Sequence, residues 1–310
     1  SLSVSVSVSV LVVSQEEKMM KIACVVLVAL LGLSHASYSR VSLGDRFLRD
    51  YTVYTPMPLT AKDALSQGWT NRSAVTGDHC NSNLGYMFSY DSSGPTQNHP
   101  LVLFYTAAGQ LSGSQVTIYD PKGKVPELQG NLVNQGFLEK SGDGEYTITL
   151  AYRDSSLACS FASNNEAIGD RLIINPDTIA YPLPVTEDEA IANKFTKGAC
   201  FYGMGYHYFF DLSTAPEMSW DAENLLPVVL MFNNTGHIQA TFYTVAVKQQ
   251  GVTNSHWWEP IALPNALMCQ NWCDSECTFP SVSFWSTMHT YFQDIDLATC
   301  ANDCQTGCCP

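Results

Sequence analysis

The stretch "CFYGMGYHYFFDLS", Cys200–Ser213, decides how this chain is read, because "CNSNLGYMFSYDSS", Cys80–Ser93, repeats its frame. Cysteine, glycine, tyrosine and aspartate fall in one register at Cys80/Cys200, Gly85/Gly205, Tyr86/Tyr206 and Asp91/Asp211, and Met87 stands where the later stretch has His207. Three further blocks match in the same order, which is how an internal repeat announces itself. "PMPLTAKDALSQGW" from Pro56 pairs with "PLPVTEDEAIANKF" from Pro182. "PLVLFYTAAGQL" from Pro100 pairs with "PVVLMFNNTGHI" from Pro227, and "TITLAYRDSSLAC" from Thr147 pairs with "TMHTYFQDIDLATC" from Thr287. Spacing differs only between the blocks, where insertions belong in loops.

Each block has a physical reading. Thr60 with Asp63, and Thr186 with Glu189, have the spacing of a capping box, so a short helix follows in both halves. Leu65 and Trp69, like Ile191 and Phe195, lie four apart, which places each pair on one helical face that would dock on a sheet. "YMFSY" and "YHYFF" read as aromatic strands. "LVLFY" and "VVLMF" each precede a turn with Gly109 or Gly236 at the positive-φ position and then a second β-prone run, the pattern of a hairpin. "EYTITLAY" and "VSFWSTMHTYF" close each half. The expected fold is mainly β (α+β): two tandem antiparallel sheet repeats, each with one short helix, braced by disulfides.

The first 18 residues, with their alternating Ser and Val, read as a non-native leader. Residues 19–36 read as a signal peptide: Lys21 supplies the positive start, "IACVVLVALLGL" the apolar run and Ser34-His35-Ala36 the small-residue cleavage site. The first repeat is then expected over 37–178 and the second, with a Cys-rich insertion and tail, over 179–310. No later run approaches the roughly 20 apolar residues of a membrane span, so no membrane association is expected after cleavage. The net charge of −14 survives removal of 1–36, which takes away Lys18, Lys21, Glu16 and Glu17 together. An acidic chain without a basic cluster is a poor partner for nucleic acid.

Of 11 cysteines Cys24 leaves with the signal, and the even remainder in an exported chain argues for disulfides. Cys80 and Cys159 are the only cysteines of the first repeat and are predicted to pair; Cys200 and Cys300 are the matching prediction. Cys269, Cys273 and Cys277 in "CQNWCDSEC" and Cys304, Cys308 and Cys309 in the tail would supply three more bridges, with a thiolate metal cluster as the alternative. Their spacings lack the paired C-x2-C knuckles of common zinc sites. Asn71-Arg72-Ser73 and Asn233-Asn234-Thr235 are N-glycosylation sequons, with Asn71 and Asn233 as acceptors.

His207 and His289 fall in strand-like blocks where the first repeat offers Met87 and Thr149. If those strands are neighbours, the two imidazoles and a carboxylate such as Asp211 or Asp294 make an open three-ligand site for one zinc, copper or iron ion. The opposing reading is that the histidines pack among aromatics and that the aspartates, matched by Asp91 and Asp154, cap strand ends. His237 and His256 are secondary candidates, and "HWWEP", with Trp257, Trp258 and Glu259, offers stacking or cation recognition against simple burial. No G-x-S-x-G, H-E-x-x-H, P-loop or G-x-G-x-x-G pattern occurs. The expectation is therefore a secreted, acidic, disulfide-rich glycoprotein that acts without catalysis and without a cofactor, as a binding module or a component of an extracellular, even mineralised, matrix. Its partners would be that matrix, mineral or a small ligand. The competing expectation is a secreted metal-dependent oxygenase or hydrolase with its site in the second repeat.

Overall fold

Tyr86–Tyr90 and Gly205–Phe210, the strands inside the two opening stretches, lie in two different antiparallel sheets of the computed structural model. It describes residues 48–49, 55–76, 79–90, 101–120, 122–163, 167–201, 205–211, 225–247, 249, 258–261 and 285–293, all within one compact unit. The strands are β1 (Leu48–Arg49), β2 (Thr55–Pro56), β3 (Trp69–Asn71), β4 (Tyr86–Tyr90), β5 (Leu101–Tyr105), β6 (Leu111–Tyr119), β7 (Glu139–Gly142) and β8 (Glu145–Ala151). They continue as β9 (Leu172–Ile174), β10 (Tyr181–Leu183), β11 (Phe195–Phe201), β12 (Gly205–Phe210), β13 (Val228–Phe232), β14 (Ile238–Val245), β15 (Glu259–Ile261) and β16 (Trp285–Tyr291). Helices are α1 (Ala61–Ser66), α2 (Arg72–Thr76), α3 (Lys124–Asn134), α4 (Ser155–Ala158) and α5 (Glu187–Ala192).

The first sheet runs β3-β4-β5-β6-β8-β9-β10, with β7 also on β8; the second runs β11-β12-β13-β14-β16-β1-β2, with β15 also on β16. The two orders correspond strand for strand. The last two strands of each sheet are a hairpin that leads into a helix: β1–β2, remote in sequence from its sheet, precedes α1 and pairs Leu48 with Tyr291 and Arg49 with Thr290, while β9–β10, next in the chain after β8, precedes α5 and pairs Ile174 with Leu150 and Ile173 with Ala151. After each hairpin the chain crosses to the other sheet through a proline-flanked segment, Pro56 to Leu59 or Pro182 to Val185. There the helix start is pinned to a hairpin turn. Ala61 N–H donates to Gly109 O (2.9 Å) and Leu111 N–H to Leu59 O (3.0 Å); Glu187 N–H donates to Gly236 O (2.8 Å) and Ile238 N–H to Val185 O (3.0 Å). The boundary read at 178/179 falls in the turn between β9 and β10, both of which pair in the first sheet.

Alternation along the strands supplies the core. Phe88, Leu103, Tyr105, Val116, Ile148 and Leu150 from the first sheet and Tyr208, Leu230, Phe232, Tyr243, Val245 and Met288 from the second belong to one buried cluster. The sheets therefore pack face to face. Tyr152 and Phe292, which directly follow β8 and β16, meet edge to face at 5.7 Å. Ser114 Oγ lies 2.5 Å from the Tyr152 hydroxyl and 2.8 Å from that of Tyr243, so the polar tips of two buried tyrosines are satisfied between the sheets. Burial, and secondarily Tyr243, hold Tyr152 well above its ordinary pKa, and burial pushes Tyr243 up to about 12. At the edge, the Gln249 side chain accepts from Tyr119 N–H (2.9 Å) and donates to Tyr119 O (3.2 Å).

The threonine half of each capping box forms, while Asp63 Oδ2 accepts the Thr60 hydroxyl (2.7 Å) and Glu189 takes the N–H one residue before the cap. Thr60 Oγ1 accepts from Asp63 N–H at 3.1 Å, Thr186 Oγ1 from Glu189 N–H at 3.3 Å, and Glu189 reaches back to Val185 N–H at 3.1 Å. The helical face expected to dock does not. Leu65 and Ile191 are 57% and 58% exposed, because each helix stops before its aromatic partner: Trp69 and Phe195 start strands and are buried there, and the helices bury Ala64 and Ala190 instead. The expected single helix per half also fails in the first half, which adds α2, α3 and α4. Helix α3 begins where the buried Asp120 carboxylate accepts Lys124 N–H (2.8 Å) and Val125 N–H (2.6 Å), and it is kinked at Gln129, whose Oε1 accepts Ala246 N–H (2.9 Å) from the other sheet.

The predicted Cys80–Cys159 disulfide is present, with Cα atoms 5.8 Å apart. Closing so long a loop is worth about 4 to 5 kcal/mol through chain entropy. Beside it Asn81 and Asn83 donate to the two carboxylate oxygens of Asp177 at 2.8 and 2.7 Å, tying the β9–β10 turn to the Cys80 loop. Cys200 lies at the end of β11, with its side chain outside the described residues; Cys269, Cys273, Cys277, Cys300, Cys304, Cys308 and Cys309 also lie outside them.

Three glycines at positive φ separate backbone strain from crowding. Gly109 has φ 81° and a Cβ there would meet only Ala61 Cβ, at an unstrained 3.8 Å, whereas a Cβ on Gly85 (φ 94°) would sit 2.2 Å from Tyr105 O, and one on Gly205 (φ 89°) 2.5 Å from Phe232 O. Gly109→Ala is expected to cost about 1 to 2 kcal/mol, and Gly85→Ala and Gly205→Ala upwards of about 3 kcal/mol each. Denaturant midpoints order the three, and equal losses at Gly109 and Gly85 would contradict the crowding.

Candidate functional site

Strand parity decides where the two histidines go. His207 on β12 and His289 on β16 point away from the inter-sheet core, since their neighbours Tyr208 and Met288 point into it. This outer face is buried as well: His207 is 0% and His289 3% exposed, and Phe209, Val229, Met231, Ala240, Phe242 and Tyr291 beside them are buried. Both faces of the second sheet are thus withdrawn from water. On the first sheet the matching positions Met87, Ser89, Val102 and Gln115 are only partly buried, while Phe104 and Thr149 are buried.

The strands of the two histidines are not neighbours. β13 and β14 run between them, and the Phe242 ring stands between the imidazoles, 5.6 Å from His207 and 5.0 Å from His289 between centroids. His207 stacks on Phe209 at 6.5 Å and His289 on Tyr291 at 6.1 Å. Burial, and secondarily the charge of His207, pushes the His289 pKa down to about 3. Asp211 does not join them. It ends β12 four residues beyond His207, about 13 Å along an extended strand, is exposed, holds φ 51° and donates its N–H to Lys194 O at 2.9 Å. Among the described residues no three His, Cys, Asp or Glu side chains gather as a metal site.

Of the other candidates, Asp294, His256 and Trp257 lie outside the described residues. Asp154, the counterpart of Asp294, caps α4 by accepting Ser156 N–H (2.9 Å) and pairs with Arg171 at 2.7 Å, contacts that hold its carboxyl below the usual range. His237 is exposed in the β13–β14 turn, and its N–H donates to Asn233 Oδ1 at 3.1 Å. Trp258 is buried in the inter-sheet core, so the burial reading of "HWWEP" holds for that ring.

A cluster that sequence reading missed lies at the end of the second sheet. Glu187, the first residue of α5, accepts the Tyr208 hydroxyl and the Lys197 ammonium, the latter at 3.0 Å. Lys197 Nζ also stands 3.7 Å from the centre of the Tyr206 ring, close enough for a cation–π contact. Although burial works against the charge, those two donors hold Glu187 below the usual carboxylate range; burial and the facing carboxylate push Tyr208 up. Pairing of the blocks puts Ala61, Asn71 and Phe88 at the places of Glu187, Lys197 and Tyr208, so the cluster belongs to the second half alone. The signal in the sequence was that joint change of three positions, invisible to a search for metal-ligand spacing.

The acid stability of the protein tests the histidine geometry. An imidazole whose folded pKa is about 3, against the ordinary 6.5, is neutral in the folded chain while the unfolded chain takes a proton. Its contribution is complete above pH 6.5 and is lost as pH falls from there toward 3. His289→Leu is expected to lose roughly 3 kcal/mol less stability than the wild type between pH 7 and pH 4, measured by urea unfolding; parallel curves would show that His289 charges freely. Comparison of the chain with protein-family models, with curated proteins and with solved structures finds no match.

Proposed function

We propose that this chain is a duplicated, disulfide-braced β module that works outside the cell as a non-catalytic binding or matrix component. The observation that carries the reading is the paired strand order: two sheets of the same succession, each ended by the hairpin that precedes the helix of the other half. One tandem duplication accounts for this, for the matched glycines at 85/205 and 109/236, and for the matched helix caps at Thr60 and Thr186. The repeats then run over 37–178 and 179–310, with an exported start at 19–36 and a second bridge from Cys200 to Cys300 answering Cys80–Cys159.

The candidate polar groups among the described residues serve the fold. His207 and His289 pack against Phe242, Asp154 and Asp120 cap helices, and the tyrosine hydroxyls between the sheets bond to Ser114. Such a body offers surface rather than a reaction centre. Its acidity suits cationic or matrix partners and disfavours nucleic acid.

Elemental analysis of the secreted, mature protein separates this reading from a metal-dependent oxygenase or hydrolase. The expected outcome is no stoichiometric zinc, copper or iron and a melting temperature unmoved by chelator. One tightly held ion, lost in both His207→Ala and His289→Ala, would establish the enzyme reading instead.

A further inference from the structure

The two sequons have identical grammar and opposite surroundings. Asn71 ends edge strand β3, its Oδ1 accepting Ala74 N–H at 3.1 Å as the cap of α2. Ser73, whose hydroxyl a glycosyl transferase must read, is 6% exposed and accepts Met87 N–H at 3.0 Å from β4, while Arg72 Nε donates to Ser89 Oγ at 2.6 Å. Every side chain of this sequon is turned into the sheet or the helix start. Asn233-Asn234-Thr235 instead forms the tip of the β13–β14 hairpin, with Asn234 and Thr235 exposed. Asn233 Oδ1 accepts from Thr235 Oγ1 (2.6 Å), Thr235 N–H (2.9 Å) and His237 N–H (3.1 Å), which brings the hydroxyl against the acceptor amide; among the described residues its Nδ2 donates to nothing.

The equivalent turn of the first half shows which of these side chains the backbone uses: Thr106 Oγ1 accepts Gln110 N–H at 3.2 Å, as Asn233 Oδ1 accepts His237 N–H. Thr106 N–H donates to Gln110 O (2.8 Å) and Gly109 N–H to Thr106 O (2.8 Å), as Asn233 N–H does to His237 O and Gly236 N–H to Asn233 O, both at 3.0 Å. There the tip reads Thr-Ala-Ala-Gly, without a sequon. The oxygen at the first position of the turn is thus common to both halves, and the hydroxyl of Thr235, where the first half has Ala108, is the addition that completes the sequon.

We infer that the chain carries its N-linked carbohydrate at Asn233 and leaves Asn71 bare, an inference that rests on the export proposed above. In the transfer, Asn233 Nδ2 bonds to the anomeric carbon of a lipid-pyrophosphate-linked oligosaccharide. The bond from that carbon to the pyrophosphate oxygen breaks, the lipid pyrophosphate leaves with the electron pair, and the amide nitrogen gives up one proton to base. The sugar then stands beside Gly236, whose Cβ position is 3.4 Å from Glu187, and covers the Lys197–Glu187–Tyr208 end of the second sheet. A protein partner must approach elsewhere, and the corresponding end of the first sheet is unshielded.

The full chain expressed in a eukaryotic secretory line tests this by digestion of the secreted protein with peptide N-glycosidase in heavy-oxygen water and peptide mapping. The expected result is the labelled aspartate at Asn233 alone. Thr235→Ala, and separately Asn233→Gln, are expected to abolish the one-glycan mass shift, and Asn71→Gln to leave it in place. Secreted protein with sugar at Asn71, at both sites or at neither overturns the assignment while leaving export standing. A chain that stays in the cytosol unmodified overturns the export reading, and this inference with it.

Discussion

Backbone pairing between remote segments is the constraint on which the rest of the molecule depends. β8 and β16 would each end their sheet with a partly unpaired edge; the β9–β10 hairpin covers the first and β1–β2 the second. Unpaired strand edges are costly to bury and hazardous to expose, so each half requires the segment that introduces the other. Because each hairpin continues directly into a helix pinned on the opposite sheet, the pairing also fixes how the two sheets face one another. The shared apolar cluster, the Ser114–Tyr152–Tyr243 hydroxyls and the Tyr152–Phe292 contact all presuppose that geometry.

The two sheets differ in chemistry. The first spends its polarity on fixing loops: Asp177 grips two asparagines beside the disulfide, and Asp120 starts a helix that reaches the other sheet through Gln129. The second concentrates aromatic and titratable groups, burying two histidines around Phe242 and placing a lysine between a carboxylate and a tyrosine ring. Buried among aromatic rings, the imidazoles act as flat packing groups, and the lysine cluster occupies the sheet end nearest the Asn233 turn.

Much of the frame was legible because its signals are local. Gly109 and Gly236 do hold positive φ, both capping threonines accept their N–H groups, and Cys80 and Cys159 pair as their isolation in the first half implied. The helical face at Leu65 and Ile191 was misread because a four-residue spacing cannot say that the helix ends between its members. Helix α3 escaped notice because Pro126 and Gly130 interrupt its pattern, while what starts it is a buried aspartate four positions upstream. Bringing His207 and His289 together required knowing the strand order, and two intervening strands are information that neither residue carries. The capture of β1 by β16, likewise, joins positions too remote for any motif to record.

That capture imposes an order of events on a chain made from one end. The first hairpin emerges from the ribosome early, yet its partner Tyr291 is among the last described residues to follow. At about 5 to 20 residues per second the wait is tens of seconds, during which the first sheet can close with its own β9–β10 while β1–β2 stays unmatched. The second sheet is completed only once β16 has followed, so its closure is a long-range capture of that strand by a hairpin made far earlier.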